Sequence, residues 1–403
     1  MSRFDSPSEA QFRQEARAWL VENARAFSQE FPGEAKDEQD ALIRAKAWQK
    51  RKFDAGYAGL FIPREYGGGG RTFVEELIFR EEQRPFKMPR GPFVIGLGLA
   101  APVLLAYADE ETKRELLPRA LSGEEIWCQL FSEPGAGSDL AGIRTRATRD
   151  GDDWIVSGQK VWNTFAHLAD RAILVTRSDP TVPKHKGLTF FQIPMTLGGI
   201  STRPLRMVNG EAEFNETFLD DVRIPDACRL GEPGDGWQVS MSTLRFERFE
   251  VSSFPGVNHQ DLLDFALARE IDGQPMIADS LVQDNLARWY AQEKAIENTQ
   301  LITLAELSQG REPGPEVTFG KLVDASKMQS LGEFAMDLMG FEGACVDSLS
   351  VDAPQNFQGC WLWSPGGRIA GGTDEIVRNV IAERVLGLPK EDRPDANIPF
   401  NQL

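Results

Sequence analysis

The stretch RTRATRDGDDWIVSGQKVW, Arg144–Trp162, breaks the helical texture of the chain around it. β-Branched and aromatic residues come in short runs, Thr145 and Thr148 on one side, Trp154, Ile155, Val156, Val161 and Trp162 on the other. Asp150, Gly151, Asp152 and Asp153 separate them. That pattern predicts two strands joined by a tight turn. Outward from it, Glu125–Ser132 (EIWCQLFS), Arg171–Arg177 (RAILVTR), Gly187–Pro194 (GLTFFQIP) and Phe214–Pro225 (FNETFLDDVRIP) read the same way. An antiparallel sheet, barrel or sandwich of roughly a hundred residues is expected.

On both sides the period becomes helical. Glu9–Phe27 keeps Phe12, Ala16, Trp19 and Leu20 on one face, and breaks are expected at FPGEAKDEQD and IPREYGGGGRT, with Thr72 capping the helix FVEELIFREEQ. After Gly231–Trp237 (GEPGDGW) helical patterns return over Trp237–Val251, Gln260–Ile271, Ala278–Gly310, Ser326–Gly340 and Thr373–Gly387. The fold class is therefore α+β. We expect an N-terminal all-α domain over 1–124, a central antiparallel β-barrel or sandwich over 125–234, and a C-terminal four-helix-bundle domain over 235–403. Strands grouped between helical blocks argue against a doubly wound parallel sheet.

Composition narrows the function classes. The chain has 403 residues, 41% hydrophobic and 26% charged, enough to bury real cores. A formal charge of −17 opposes binding to nucleic acid or anionic membranes. No run of about 18 apolar residues is present, and the N-terminal sequence lacks signal-peptide character, so a cytoplasmic protein is expected. Cys128, Cys228, Cys345 and Cys360 lack CxxC spacing, and His167, His185 and His259 are scattered, so neither a disulfide framework nor a metal site is expected. Three short matches are set aside. GLGLAA (Gly96–Ala101) fits a dinucleotide fingerprint but has no strand before it; SGQK (Ser157–Lys160) lies in strand-rich sequence; the sequon at Asn215 has no secretory context.

LFSEPGAGSDLAG, Leu130–Gly142, ends a strand in a turn of glycines, a proline and small hydroxyl residues, which lets an anionic ligand approach clustered backbone N–H groups. Further on stand GQKVWNT, Gly158–Thr164, and GGTDEIVRNVIAERVLG, Gly371–Gly387. In this order, and with helical, β and helical regions around them, the three motifs resemble the acyl-CoA dehydrogenase family over nearly the whole chain. The resemblance implies FAD as cofactor and α,β-dehydrogenation of an acyl-CoA to the trans-2-enoyl-CoA, a proton leaving the α-carbon and a hydride passing from the β-carbon to flavin N5. Electron-transfer flavoprotein is the implied acceptor. Leu130, Phe131, Ser132, Trp162, Asn163, Thr164, Arg269, Thr373 and Glu375 are the implied flavin contacts, and Ser138, Arg245, Arg248 and Gly372 the implied substrate contacts.

The α-proton is weakly acidic, so a carboxylate must take it while donors stabilise charge on the thioester oxygen. Many family members carry that carboxylate in the C-terminal turn as EGT, where this chain has Gly371. A minority carry it in an L-x-x-E-R pattern on the helix opening the C-terminal domain, which LRFERF supplies as Leu244, Glu247 and Arg248. Glu247 is thus the implied base, with Gly371 offering its N–H to the carbonyl. On helix evidence alone Glu247 also reads as a solvated residue paired with an arginine, and Glu250 is its local competitor. Helical spacing puts Trp237, Met241, Leu244, Arg248 and Val251 on one stripe, with Glu247 at its edge.

Two departures bear on assembly. Where relatives read Arg-x-[Thr/Gln]-Phe-Gly, this chain has Arg269 and Gly273 with Ile271 and Asp272 between. The usual Gln-x-x-Gly-Gly reads Asp337, Leu338, Met339, Gly340, Phe341. The GGT turn and the helix glutamate together resemble bacterial members acting on bulky or steroid side-chain thioesters. Some of those are α2β2 assemblies, so a homo-oligomer (dimer or tetramer) and a heterotetramer both stay open. So do a half-site subunit without activity of its own and a different flavin reaction on the same fold.

Overall fold

The computed structural model describes residues 5–86, 88, 89, 91–250, 256–271, 273–309, 314–345 and 356–403, with backbone alone for 246–250, 304, 307, 308, 316 and 317. Two compact units result. The first runs to Leu205, resumes over Glu213–Glu247 and takes in Asp392–Leu403; the second holds Arg206–Ala212 and Arg248–Glu391.

Five helices open the first unit: α1 (Pro7–Glu30), α2 (Glu38–Asp54), α3 (Phe73–Gln83), α4 (Ala101–Tyr107) and α5 (Glu110–Ser122). Capping side chains fix the starts of all but α4. Thr72 Oγ1 accepts the Glu75 N–H at 3.2 Å while Glu75 accepts the Thr72 N–H at 2.8 Å, a reciprocal cap that contributes about 1 kcal/mol. The apolar face of α1 buries Phe12, Ala16 and Leu20, and Trp19 packs 4.8 Å from Tyr57, centroid to centroid. The GLGLAA segment is helical: Gly96–Ala100 forms a π-turn running into α4. Gly96, Gly98, Leu99 and Ala100 are buried there, and a Cβ on Gly96 would come within ordinary contact of the Trp127 ring, at 3.4 Å.

Eight strands follow: β1 (Trp127–Leu130), β2 (Arg146–Asp150), β3 (Asp153–Val161), β4 (Arg171–Arg177), β5 (Leu188–Pro194), β6 (Ile200–Pro204), β7 (Asn215–Pro225) and β8 (Arg229–Gly234). Arg144–Trp162 does form the β2–β3 hairpin, and SGQK lies inside β3. The sheet order is β6-β7-β3-β2-β4-β5-β8, open at its ends, so it does not close into a barrel. Nor is pairing wholly antiparallel. β1 runs parallel to β4 from Trp127↔Arg171 to Leu130↔Leu174, and β2 meets β4 in parallel at Arg146↔Arg177. β4 and β5 are buried at nearly every position because both their faces are covered. Ile173, Val175 and Phe190 join Leu99, Leu104 and Leu117 of the helical layer in one core, while Ala172, Leu174 and Phe191 join Trp154, Val156 and Val222 in another. β6 and β8 are short and partly exposed, and give too little alternation to be read from sequence.

Asp226, just past β7, pins this sheet. Its carboxylate accepts the Trp154 Nε1–H at 2.7 Å and the Arg229 Nε–H at 2.9 Å. Arg229 foremost, opposed by partial burial and aided by Trp154, holds its pKa down to about 2 from an ordinary 3.8. A depressed carboxylate contributes stability that is present above its unfolded pKa and lost as pH falls through the folded one. Asp226→Asn should therefore be less stable than the parent at pH 6. Urea unfolding across pH 6 to 2 should show that gap closing between about pH 4 and pH 2.

Helix α6 (Gly236–Glu250) opens the C-terminal region. The second unit then contains α7 (His259–Leu267), α8 (Ser280–Ser308), α9 (Phe319–Met339), α10 (Phe357–Ile369) and α11 (Asp374–Val380). Its core includes Leu262, Phe265, Trp289, Met328, Leu331 and Phe357. α10 escapes the sequence reading because Pro365 and three glycines sit within FQGCWLWSPGGRI, residues with poor helix propensity. Packing overrides that propensity: a Cβ on Gly332 of α9 would lie 3.1 Å from the Phe357 carbonyl and 3.0 Å from Trp361 Cβ. The α7 pattern stops at Leu267, and Glu270–Ile271 instead pairs with Gln274–Pro275. Among the described residues no helix is long and apolar enough to cross a membrane.

Candidate functional site

Beyond β1 the chain enters the glycine-rich turn. Glu133 and Ala136 exchange both backbone hydrogen bonds at 3.0 Å, closing it around Pro134 and Gly135. The Glu133 carboxylate then turns inward and accepts the N–H groups of Arg144 (2.7 Å) and Thr145 (2.9 Å) and the Lys160 Nζ (2.9 Å). Lys160 also donates to the Phe131 carbonyl at 2.9 Å. Lys160 is fully buried and Glu133 nearly so. Burial pushes the Lys160 pKa down to about 8 against the pull of Glu133. For Glu133 burial pushes up, but Lys160 and the donors from Thr145 and Arg144 outweigh it and hold the carboxyl below its usual range. The pair, with Lys160 Nζ 2.9 Å from the Glu133 carboxylate, ties both ends of the turn to β3. Sequence reasoning passed over both residues. The one available cue was a charged residue on the inward phase of β3, which demands a partner.

Across the same edge, β3 ends in a turn with two non-glycine residues in the left-handed region, Trp162 (φ 62°) and Phe165 (φ 53°). Each such residue costs roughly 1–2 kcal/mol, and persists where its surroundings over-determine it. Here they do. Asn163 donates its side-chain amide to the carbonyls of Gln129 (3.0 Å) and Val161 (3.3 Å), and its backbone N–H to the Asn215 carbonyl (3.0 Å). Asn215 answers with Nδ2–H to the Asn163 carbonyl at 2.8 Å. The Val161 N–H reaches the Ser132 carbonyl at 2.9 Å, joining the two turns. The result is an indole held outward, 62% exposed, between buried Val161 and Asn163.

The structure thus brings Leu130, Phe131 and Ser132 together with Trp162, Asn163 and Thr164. Leu130 and Phe131 are buried in the two cores of the sheet, with Leu130 paired to Leu174 and the Phe131 carbonyl held by Lys160. Ser132 and Thr164 are half-buried and Ser138 is exposed at the turn's far side. On α6, Arg245 is exposed. The fully buried positions are Val239, Ser240 and Thr243, with the expected stripe of Trp237, Met241 and Leu244 half-buried beside them. Glu247, Arg248 and Glu250 lie in this helix with side chains outside the described atoms, and Val251 lies outside the described residues.

In the second unit, α10 gives way to Gly371 (φ 64°) and Gly372 (φ 96°), and Thr373 Oγ1 accepts the Ile376 N–H at 3.3 Å to start α11. Two successive left-handed residues require glycine or nearly so. Lys321 of α9, buried, holds this turn: its Nζ donates to the carbonyls of Gly372 (2.6 Å) and Arg368 (3.2 Å) and lies 3.6 Å from Asp374. Burial lowers its pKa against the pull of Asp374. Arg368 closes the arrangement on Asp374 at 2.7 Å. Lys321 too went unread in the sequence, being 51 residues from its partner. Glu375 is exposed, 3.9 Å from Arg378. Arg269 pairs with Glu342 and lies 4.9 Å over the Phe265 ring. Phe341 is almost fully exposed, Asp337 is on α9, and Asp272 lies outside the described residues.

Comparison with known proteins places these features. Models of the acyl-CoA dehydrogenase N-terminal, middle and C-terminal domains match residues 6–124, 128–222 and 234–386. The chain is 36% identical over 393 residues to the acyl-CoA dehydrogenase IpdE1 of Mycobacterium tuberculosis, covering 94% of this chain and 98% of that protein. Among solved structures it is similar to the ChsE4-ChsE5 complex of Mycobacterium tuberculosis, with a TM-score of 0.75 and 28% identity over 97% of this chain and 100% of the other. It is also similar to the Tcur3481-Tcur3483 steroid ACAD, with a TM-score of 0.78 and 26% identity over 97% and 100%. Three consecutive domain matches and a relative of full length make the conclusion direct: the chain belongs to the acyl-CoA dehydrogenase family of flavin-dependent oxidoreductases.

Proposed function

We propose that the chain dehydrogenates a bulky acyl-CoA thioester between its α- and β-carbons, with Glu247 taking the α-proton. The observation that carries this reading is the outward-held Trp162 in a turn that the Val161 N–H ties to Ser132, at the start of the glycine-rich turn. A flavin ring system needs a flat aromatic contact beside polar groups that bond its edge, and Trp162, Thr164 and the Ser132 backbone make such a donor set. These residues fit the cofactor. FAD, when bound, supplies the acceptor for the β-hydride. The protein's own part is then to hold the thioester, polarise its carbonyl and receive one proton.

For the proton, helix register supports Glu247: position 247 comes one turn after Thr243 and two after Ser240, both fully buried. A carboxylate at low dielectric has a raised pKa and is a better base near neutrality. For the carbonyl, we assign the Gly371 N–H, in a turn that Lys321 fixes. Ser138, Arg245, Arg248 and Gly372 are assigned to the thioester and its phosphates, and Thr373, Glu375 and Arg269 to the flavin and its linker. A bulky acyl group is supported by the steroid enzyme named among the similar structures.

A mixed assembly is the second reading, and Arg269 favours it. Its guanidinium is engaged by Glu342 and Phe265, so it would have to leave that exposed pair to reach a flavin, and two similar structures carry the names of two different chains. Anaerobic titration with a panel of straight, branched and steroid side-chain acyl-CoA thioesters tests both readings, with the chain alone and with a co-expressed partner. Bleaching of the flavin by a bulky thioester is expected. No bleaching by any thioester under either condition would exclude the dehydrogenase reading. In the same preparation Trp162→Ala should weaken FAD retention about tenfold, as loss of roughly 1.4 kcal/mol of ring contact predicts, read from flavin released on dilution.

A further inference from the structure

Residues 392–403 lie beyond residue 386, where the match to the C-terminal family model ends, and they belong to the first unit. They are held against the β4–β5 connection. The Phe400 N–H donates to the Val182 carbonyl at 3.0 Å and the Asn401 N–H to the Pro180 carbonyl at 2.9 Å, and Pro183 and Pro399 form an isolated antiparallel bridge. Phe400 lays its ring on the Arg177 guanidinium, 3.9 Å from carbon to centroid, with Arg144 at 5.4 Å.

Arg177 is a buried cation, 3% exposed. Its hydrogen bonds run to three main-chain carbonyls, those of Lys184 (2.7 Å), Ile143 (3.4 Å) and Ala141. Ala141 and Ile143 are the outgoing end of the glycine-rich turn, just before Arg144 and Thr145, whose N–H groups Glu133 accepts. An aromatic face over the guanidinium attracts it and keeps water from competing for those carbonyls. A second tie runs parallel to the first: Lys184 Nζ lies 2.9 Å from Asp139 in the turn and 3.9 Å from Asp395.

We infer that residues 392–403 are a positioning element for the glycine-rich turn, Phe400 acting through Arg177 on the carbonyls of Ala141 and Ile143 to set the turn's affinity for a phosphate-bearing ligand. The ligand half of this inference rests on the proposed function. The mechanical half does not. Because the ordering cost of the turn is met before the ligand arrives, loss of Phe400 weakens binding more than turnover.

The test compares Phe400→Ala, Phe400→Tyr and the parent, each as flavin-loaded full-length protein. In Phe400→Ala, amide hydrogen exchange over 135–143 should speed at least tenfold while β3, β5 and β7 stay unchanged. KM for a reactive acyl-CoA should rise about tenfold with kcat within twofold, and Phe400→Tyr should restore both. Unchanged exchange over 135–143 overturns the inference, as does a uniform rise across the whole sheet, which would make the segment a general stabiliser. Localised loosening in a protein whose flavin no acyl-CoA reduces would leave the positioning role standing and sink the dehydrogenase reading instead. Should Phe400→Ala not fold, Phe400→Leu, which keeps apolar cover and removes the aromatic face, must show the same localised exchange or the inference fails.

Discussion

Glu247→Gln should retain FAD and cut the rate of acyl-CoA-driven flavin reduction by about 10²–10⁴-fold, the contribution of a positioned general base. The substitution is nearly isosteric, so helix α6, which buries Val239, Ser240 and Thr243, has no reason to shift. What changes is the capacity to accept a proton, since an amide oxygen is a very weak base. The carboxylate that many relatives carry in the C-terminal turn is missing here, because position 371 is glycine and sits at φ 64°, where a side chain is strained. Glu250→Gln serves as the control and should stay within a few-fold of the parent. Rapid mixing without oxygen measures all three proteins directly. A Glu247→Gln protein reduced at the parental rate would remove the base from this helix, and a collapse in Glu250→Gln would move it by one turn.

Lys160→Met should destabilise the first unit by about 3–5 kcal/mol, the cost of stranding one member of a buried ion pair. The reason lies in what Glu133 does. Its carboxylate takes the N–H groups of Arg144 and Thr145 as well as Lys160, so it cannot swing out to solvent without abandoning the buried Thr145 N–H and the part-buried Arg144 N–H. Without the ammonium it must stay buried and charged, or take up a proton. The double variant Glu133→Gln, Lys160→Met removes the charge but keeps an acceptor for only one of the two N–H groups, which bond different carboxylate oxygens, and should recover only part of the loss. Urea midpoints of the single and double variants decide this; a Lys160→Met protein within 1 kcal/mol of the parent, a loss far below that of a stranded buried charge, would show that the pair holds nothing. Flavin retention should fall with Lys160→Met as well, because the same nitrogen bonds the Phe131 carbonyl at the end of β1.

Sequence alone determined the order of helical, β and helical regions, since hydrophobic period reports which side of a local element is covered. Turn chemistry also marked the Leu130–Gly142 turn, whereas the Trp162 segment and the missing carboxylate at Gly371 became legible only through the resemblance to the family. α10 was not legible, as Pro365 and its glycines speak against a helix that only packing on α9 sustains. The open sheet with its parallel β1–β4 pair was likewise hidden, strand direction being set by connections rather than composition. Tertiary structure decided what holds the site residues in place: Lys160 on Glu133, Asn163 with Asn215, Lys321 under Gly372, and Phe400 on Arg177. Each joins residues distant in sequence, and each satisfies a buried polar group whose need for a partner is visible only when burial is known. Local sequence can state that a charge or amide exists; the fold alone removes it from water and thereby makes one particular partner obligatory.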